Sequence, residues 1–392
     1  MIYLDNASTS FPKPKEVADN VYKYMTQIGS NINRGCYQNA YSVEETVFDT
    51  RMLLCELFDG ADCKNVVFTK NVTESINTVL KGFLKAGDHI LVSSMEHNCV
   101  MRTLTQLQAN DISYSLIPCD SDGSIILDAI KPLVTPKTKA LICTHASNVC
   151  GTVMPIKKIG LICKEIGISF FVDSAQTAGI LPISMKDMNI DVLAFTGHKG
   201  LLGPQGIGGF ILSDGMIDKI IPLVVGGTGS FSDSIDIPKL MPDRFEAGTL
   251  NLPGIIGLHA SLSWLKQIGI QAVYRHEMAL TELFLKGLLG LEEKGLITIV
   301  GKRDTTDRLG VVSIQTPNVD LANAAFLLDE KYQIMTRVGQ HCAPIAHQTL
   351  KTFPTGTLRF SFGYFNTEED VTTALSALEN ICHGIKTITV LC

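Results

Sequence analysis

"VLAFTGHKGLLGPQG", residues 192–206, runs four apolar residues into a threonine, a histidine and a lysine, with glycines on either side. A lysine at the end of so apolar a strand calls for a turn that aims it at something. Working outward from this stretch, the same arrangement recurs. Apolar runs at 65–69, 89–92, 113–117, 140–144, 168–172, 192–195 and 208–212 alternate with helix-period segments such as 75–84, 100–109 and 156–166. This alternation predicts an α/β fold: a mostly parallel seven-stranded sheet sandwiched by helices. After "NLPG" (251–254) come two long helical patterns to about residue 294 and then a different α/β rhythm, which predicts a smaller C-terminal α/β domain. The expected division is 15–253 for the large domain, with 1–14 and 254–392 forming the small one.

Ligands of open α/β sheets bind beyond the carboxyl ends of the strands. Here those ends read "TKNVTES", "SSMEHN", "THASNVCGT", "DSAQ" and "TGHKG". Five strand ends deliver polar or ionisable groups toward one edge, which predicts a site there. A helix opening at Asn71 and Thr73 suits a phosphate, and Thr196 and His198 add donors. Asp173 ends a buried strand, where it stays ionised only beside a cation. A lysine able to form a Schiff base and an aspartate facing a pyridinium nitrogen are the protein groups that pyridoxal phosphate requires. Lys199 and Asp173 fit those roles, and His97 is placed to stack on the ring.

Bulk composition narrows the function classes. The 392 residues include 45% hydrophobic and 18% charged, with a net charge of -6, and no basic stripe offers counterion release to a nucleic acid. No apolar run is long enough to cross a bilayer. The start, "MIYLDNASTSFPKPKE", lacks the charged head and apolar centre of a secretory signal, so a cytoplasmic protein without membrane partners is expected. The 11 cysteines show no CxxC pair, so neither a zinc site nor a disulfide framework is expected, and most should be small buried hydrophobes.

"YLDNAST", "NRG", "VFTKNVTESIN", "MEHN", "SNVCGT", "VDSAQ", "TGHKG", "FEAGT" and "RVGQHC" occur in this order along the whole chain. Together they resemble the motifs of class V, fold-type I pyridoxal-phosphate enzymes, and within them the cysteine desulfurase family, which includes selenocysteine lyases. The resemblance implies that Lys199 is the Schiff-base lysine, that Asp173 and Gln176 face the ring nitrogen and ring oxygen, and that His97 stacks on the ring. It implies a phosphate held by Thr73, Thr196 and His198, with Thr249 reaching across a homodimer interface to the partner's phosphate. Asn148 and Arg359 resemble residues that grip the substrate carboxylate, and Arg337 shares a motif with the nucleophile.

Cys342 decides the reaction class. It follows His341 in a glycine-containing loop, and Arg337 and His341 are expected to lower its thiol pKa by their charge. The resemblance then implies that Lys199 removes the Cα proton of L-cysteine, or of L-selenocysteine. Cys342 takes the sulfur as a persulfide and L-alanine leaves. "HCAPIAHQTL" resembles the compact loop of the family's second, Suf-type group, which implies that a sulfur or selenium acceptor protein docks at the site. Two departures stand out: Val72 replaces a small or hydroxylated residue in the phosphate turn, and "HCAPIAH" replaces the commoner "HCAQP".

Other patterns read as structural. "GPQGIGG" (203–209) precedes a strand rather than a helix, so it is a poor dinucleotide loop. "GGTGSFSDS" lacks a following Gly-Lys-Ser/Thr and reads as a mobile loop near the interface. Cys36, Cys99 and Cys150 read as structural, and His89, His259, His276, His347 and His383 as surface or capping residues. "NTEEDV" (366–371) reads as a helix start capped by Thr367. The competing functions are a class V aminotransferase of the serine–pyruvate or alanine–glyoxylate type, which needs no thiol, and a silent sulfur carrier.

Overall fold

The computed structural model describes residues 1–33, 35–230 and 233–384. Arg34 of the "NRG" motif, Phe231 and Ser232 of the glycine-rich loop, and Cys392 lie outside the described residues.

β1 (Ile2–Tyr3) leads into α1 (Lys15–Lys23) and the long α2 (Gln38–Phe58). Then come β2 (Val66–Thr69), α3 (Val72–Phe83), β3 (His89–Ser93), α4 (Asn98–Leu107), β4 (Ser113–Ile117), β5 (Thr138–Thr144), α5 (Ile156–Ile166), β6 (Ser169–Asp173), β7 (Val192–Thr196) and β8 (Gly208–Leu212). The seven strands form one sheet in the order β2-β8-β7-β6-β5-β3-β4. The pairs among β4, β3, β5, β6 and β7 are parallel, whereas β8 runs antiparallel to both β7 and β2. β2, β3, β5, β6 and β7 therefore point the same way, and their carboxyl ends share one edge.

The strands form because apolar residues on both faces find cover, and the period of two sorts them. Phe68, Leu91, Leu141, Phe170, Leu193 and Ile211 pack on one side with residues of α2 and α5. Val67, Ile90, Ile142, Phe171, Ala194 and Phe210 pack on the other with α3 and α4. The helices start where side chains satisfy their first amides: Asn71 accepts from Glu74 N–H at 3.0 Å, and His97 from Cys99 N–H at 3.0 Å.

α6 (Leu252–Ile268), capped by Asn251 with Pro253 in its first turn, and α7 (Ile270–Glu293) follow. β9 (Thr298–Val300), β10 (Val311–Gln315), α8 (Leu321–Tyr332), β11 (Ile334–Met335), β12 (Arg337–Gly339), α9 (Pro344–Thr349), β13 (Thr357–Ser361) and α10 (Glu368–Gly384) complete the chain. β12-β13-β10-β9 make an antiparallel sheet, and β1 pairs with β11 in parallel. A second apolar core gathers Leu4, Leu280–Leu296 of α7 and its turn, and residues of β10, β13, α8 and α10. Leu252, Ile255, Leu258 and Leu262 of α6 join the first core instead. α10 opens with a reciprocal cap, Asp370 N–H to Thr367 Oγ1 at 3.2 Å and Thr367 N–H to Asp370 Oδ2 at 3.0 Å.

The first fourteen residues strap the two sheets together. Asn6 Nδ2 donates to Ser361 O and Asn366 Oδ1, while Ser10 N–H and Lys13 Nζ reach the carbonyl of His198.

Candidate active site

The turn after β7 is tight for a packing reason. Gly197 N–H donates to Ile207 O at 2.9 Å, and a Cβ at Gly197 would meet the Ile207 side chain at 2.9 Å. A Cβ at Gly200 would come within 2.6 Å of Ala178 O. The glycines let the turn fold down on its neighbours and hold Lys199 at the strand end. Burial lowers the Lys199 amine to about 8, with Asp173 pulling it upward.

Asp173 is almost completely buried at the end of β6. Its Oδ1 accepts from Ala175 N–H at 2.9 Å, and the Cys99 thiol donates to Oδ2 at 3.7 Å. Burial raises its carboxyl, while the Ala175 amide and Lys199 oppose that rise. The His97 ring accepts at Nδ1 from Cys99 N–H, so Nε2 carries the hydrogen. Burial, and then the charge of Lys199, hold His97 at about 4, a neutral ring at physiological pH.

On either side of Gly197, Thr196 Oγ1 and His198 Nδ1 are buried without a hydrogen-bond partner among the described residues. Orphaned polar atoms of this kind are costly, and two of them beside a lysine and a buried aspartate fit a bound anionic group. Thr73 is exposed in the first turn of α3. The Asn71 side-chain oxygen is spent on the α3 cap, which leaves its Nδ2 hydrogens as donors at the amino end of the helix. Gln176 Nε2 donates to Ala7 O at 3.1 Å in the N-terminal strap. Thr249 is exposed and lines a surface cleft of about 660 Å³ with Arg51, Lys64, Asp243 and Glu246, so the single chain does not bring it to Lys199.

The small sheet completes the site. Arg359 on β13 is buried: one terminal nitrogen donates to Asn148 O at 2.9 Å, and the other to Asp5 Oδ1 at 2.9 Å and Ser8 Oγ at 2.8 Å. Asn148 Nδ2 donates to His341 O at 2.7 Å, and Asn98 N–H donates to Cys342 O at 2.7 Å. The loop carrying Cys342 is thus tied to the turns after β5 and β3, next to His97. Both His341 (φ 47°) and Cys342 (φ 56°) are left-handed, and Cys342 is exposed. A bulky residue rarely adopts that backbone, and an active site is where such strain accumulates.

Several expectations need correction. His341 does not supply charge to Cys342: it is buried, pushed down to about 2 by desolvation and then by Arg359, and bonded through Nε2 to Thr357 Oγ1 at 2.9 Å. Arg337 is committed to Asp5 at 3.0 Å. His89 and His347 are interior residues held by Thr138 and Ser115, and by Thr352.

Two residues escaped the sequence reading although their motifs were noticed. Asp5, in "YLDNAST", pairs with both arginines. Glu96, in "MEHN", is buried between Ser93 Oγ and Thr144 N–H, and desolvation pushes it up to about 8. A carboxylate directly preceding His97 in "SSMEHN", after the apolar run of β3, was the available signal.

This is the architecture of a fold-type I enzyme with its site at the strand carboxyl ends. The family model for aminotransferase class-V matches residues 2–373, and the chain belongs to that family. A protein of Pyrococcus abyssi named "Probable cysteine desulfurase" is 34% identical over 394 residues, covering 98% of this chain and 95% of the relative. One of the same name from Methanothermobacter thermautotrophicus is 33% identical, covering 97% and 94%. The solved apo cysteine desulfurase from Thermococcus onnurineus NA1 superposes with a TM-score of 0.91 at 31% identity, covering 98% of this chain and 95% of that one. The cofactor of this family is pyridoxal phosphate, and the unpartnered Thr196 and His198 atoms beside Lys199 and Asp173 fit it.

Proposed function

We propose that this chain is a cysteine desulfurase that takes sulfur from L-cysteine onto Cys342 and releases L-alanine. The observation that carries the reading is the pair of bonds from Asn98 N–H to Cys342 O and from Asn148 Nδ2 to His341 O. They tie the backbone at Cys342 to the turns after β3 and β5, beside the strand ends bearing His97, Asp173 and Lys199. An aminotransferase has no use for a thiol held there.

Bound pyridoxal phosphate supplies the electron sink that makes the Cα proton of an amino acid removable. The chain's residues do the rest. Thr196 Oγ1, His198 Nδ1 and the amino end of α3, with Thr73, hold the phosphate. The Asp173 carboxylate keeps a ring proton in place, Gln176 faces the ring oxygen, and the neutral His97 ring covers one face. Lys199, whose amine burial lowers to about 8, close to the operating pH, takes the Cα proton at Nζ in its neutral form. Arg359 and Asn148 orient the α-carboxylate. Cys342 Sγ attacks the substrate sulfur, and the S–S bond forms as the Cβ–S bond breaks. The electron pair stays on Cβ, which takes up the proton that the Cys342 thiol gave up on becoming a thiolate, and the Cα proton returns from Lys199 Nζ to complete L-alanine.

The wider setting belongs to the same reading. A homodimer is supported by the exposed Tyr41, Phe48 and Met52 along one face of α2, by the exposed Leu223, Val224 and Val225, and by Thr249 standing exposed nearby. A sulfur acceptor protein is supported by the exposure of Cys342 beside the exposed Val338. Residues 15–253 form the cofactor unit, and 1–14 with 254–392 the unit carrying the nucleophile, although α6 packs on the first. No helix among the described residues is long and apolar enough to cross a membrane; a cytoplasmic location is a separate part of the proposal.

The test is to mix enzyme with L-cysteine in the absence of reductant and weigh the Cys342 peptide. One added sulfur atom on that peptide is expected. Alanine formation with Cys342 left unmodified and the sulfur elsewhere would overturn the reading.

A further inference from the structure

Arg337 and Arg359 are direct cross-strand partners in the β12–β13 ladder, so their side chains leave the same face of the sheet. Like charges directly opposite destabilise a sheet, and here a single carboxylate relieves them. Asp5 Oδ1 accepts from Arg359 at 2.9 Å, and Arg337 Nε donates to Asp5 Oδ2 at 3.0 Å. Ser8 Oγ donates to Asp5 Oδ1 at 2.7 Å and fixes its orientation. Two guanidiniums and one carboxylate leave one net positive charge, the complement of one α-carboxylate. The place for that carboxylate is also visible. Arg359 Nε is buried without a partner among the described residues, a vacant donor on a side chain whose terminal nitrogens are already bonded. Arg337 is half exposed and begins the segment leading to Cys342.

We propose that Asp5 is a specificity-determining residue: by neutralising the half-exposed Arg337 it keeps that side chain from serving as a second anion anchor beside Arg359, so the site favours amino acids with uncharged side chains over those with an anionic one. The proposal rests on the reading of Arg359 as the group that grips the α-carboxylate. Without the Asp5 charge, Arg337 becomes a second anchor within the same mouth, and a substrate carrying a side-chain carboxylate finds a partner for each charge.

The experiment is binding of L-alanine and L-aspartate to the holoenzyme, each titrated by the change in cofactor absorbance. Wild type is compared with Asp5→Asn, Arg337→Gln and the double variant. In Asp5→Asn, the affinity for L-aspartate relative to L-alanine rises about three- to fivefold, the range for a half-exposed ion pair. In Arg337→Gln the ratio falls, and in the double variant the rise is lost. A merely structural role would weaken both ligands equally and leave the ratio alone. An unchanged ratio in the single variants overturns the proposal while leaving the function intact. Arg337→Gln, in which the Asp5–Arg359 pair is kept, decides the matter if Asp5→Asn does not fold. If Arg359→Gln holoenzyme bound L-alanine as tightly as wild type, the reading of Arg359 would fall first and the proposal with it.

Discussion

The backbone N–H of Asn98 donates to the carbonyl of Cys342 at 2.7 Å, joining the first residue of α4 to the exposed Cys342 loop that follows β12 of the other sheet. Asn98 follows His97, so one turn of chain positions both His97 and the backbone at Cys342.

Asn98→Pro isolates that bond. Asn98 is the first residue of α4, a position that accepts proline, and the preceding His97 already has φ -71° and ψ 156°, compatible with a following proline. The substitution removes one donor and little else. The cofactor should bind as in wild type, while sulfur transfer slows about five- to tenfold, as expected for one lost hydrogen bond of about 1 kcal/mol. Single-turnover alanine formation, with the cofactor spectrum as control, measures it.

Thr196→Val should act with opposite signs on two properties. Oγ1 is buried and unpartnered among the described residues, so replacing it with a methyl group leaves the cofactor-free protein at least as stable. Affinity for pyridoxal phosphate should fall about tenfold or more, because a bond to a charged oxygen is lost. Thermal melts of the cofactor-free protein and cofactor titrations separate the two effects.

Glu246 and Arg51 form a buried bidentate pair, with Phe68 N–H also donating to Glu246 at 2.7 Å and the guanidinium 4.4 Å from the Phe68 ring centre. Glu246→Ala strands a buried cation and should cost about 3–5 kcal/mol in denaturant unfolding. Glu246→Gln keeps an acceptor and should cost less.

The stability of the cofactor-free protein should peak near pH 6.5. His97, His145, His198 and His347 are held at about 4, and His341 lower still, against 6.5 when unfolded, all by burial first. Between about pH 4 and 6.5 the unfolded chain takes up protons that these rings refuse, so stability rises with pH. Glu96 and Glu277, pushed up to about 8 from 4.5, and Asp173, also raised, keep protons that the unfolded chain has lost. Their contribution falls as pH rises toward 8. Five rings outweigh three carboxyls below 6.5, and above it only the carboxyls act in this group. Denaturant midpoints across pH 4 to 8 measure the curve, and a monotonic rise through pH 8 would contradict it.

The large sheet was legible because most of its strands carry a continuous apolar run whose ends are punctuated by polar turns, β4 (Ser113–Ile117) being the edge strand with the weakest run. The run at 208–212 coincides with β8, and that at 113–117 with β4. Strand order and the antiparallel direction of β8 were not legible, since burial on both faces writes the same apolar run whichever way a strand points. The small sheet was read only as a change of rhythm: β11 and β12 have two and three residues, too short for a period to show. At the site, the strand-end residues His97, Asp173, Thr196 and Lys199 could be placed from sequence because one sheet edge gathers them. The roles of Asp5 and His341 could not. Asp5 acts through arginines that are neighbours only in the folded chain, and the neutrality of His341 comes from burial that its loop sequence does not announce.

The central claim is that Cys342 Sγ, on the loop tied down by Asn98 and Asn148, accepts the sulfur of L-cysteine. The most direct measurement is L-alanine formation from L-cysteine by Cys342→Ala, with the cofactor absorbance recorded in the same cuvette. Alanine formation should be lost while the absorbance of the cofactor-loaded protein stays as in wild type. Undiminished alanine formation by that variant would contradict the account.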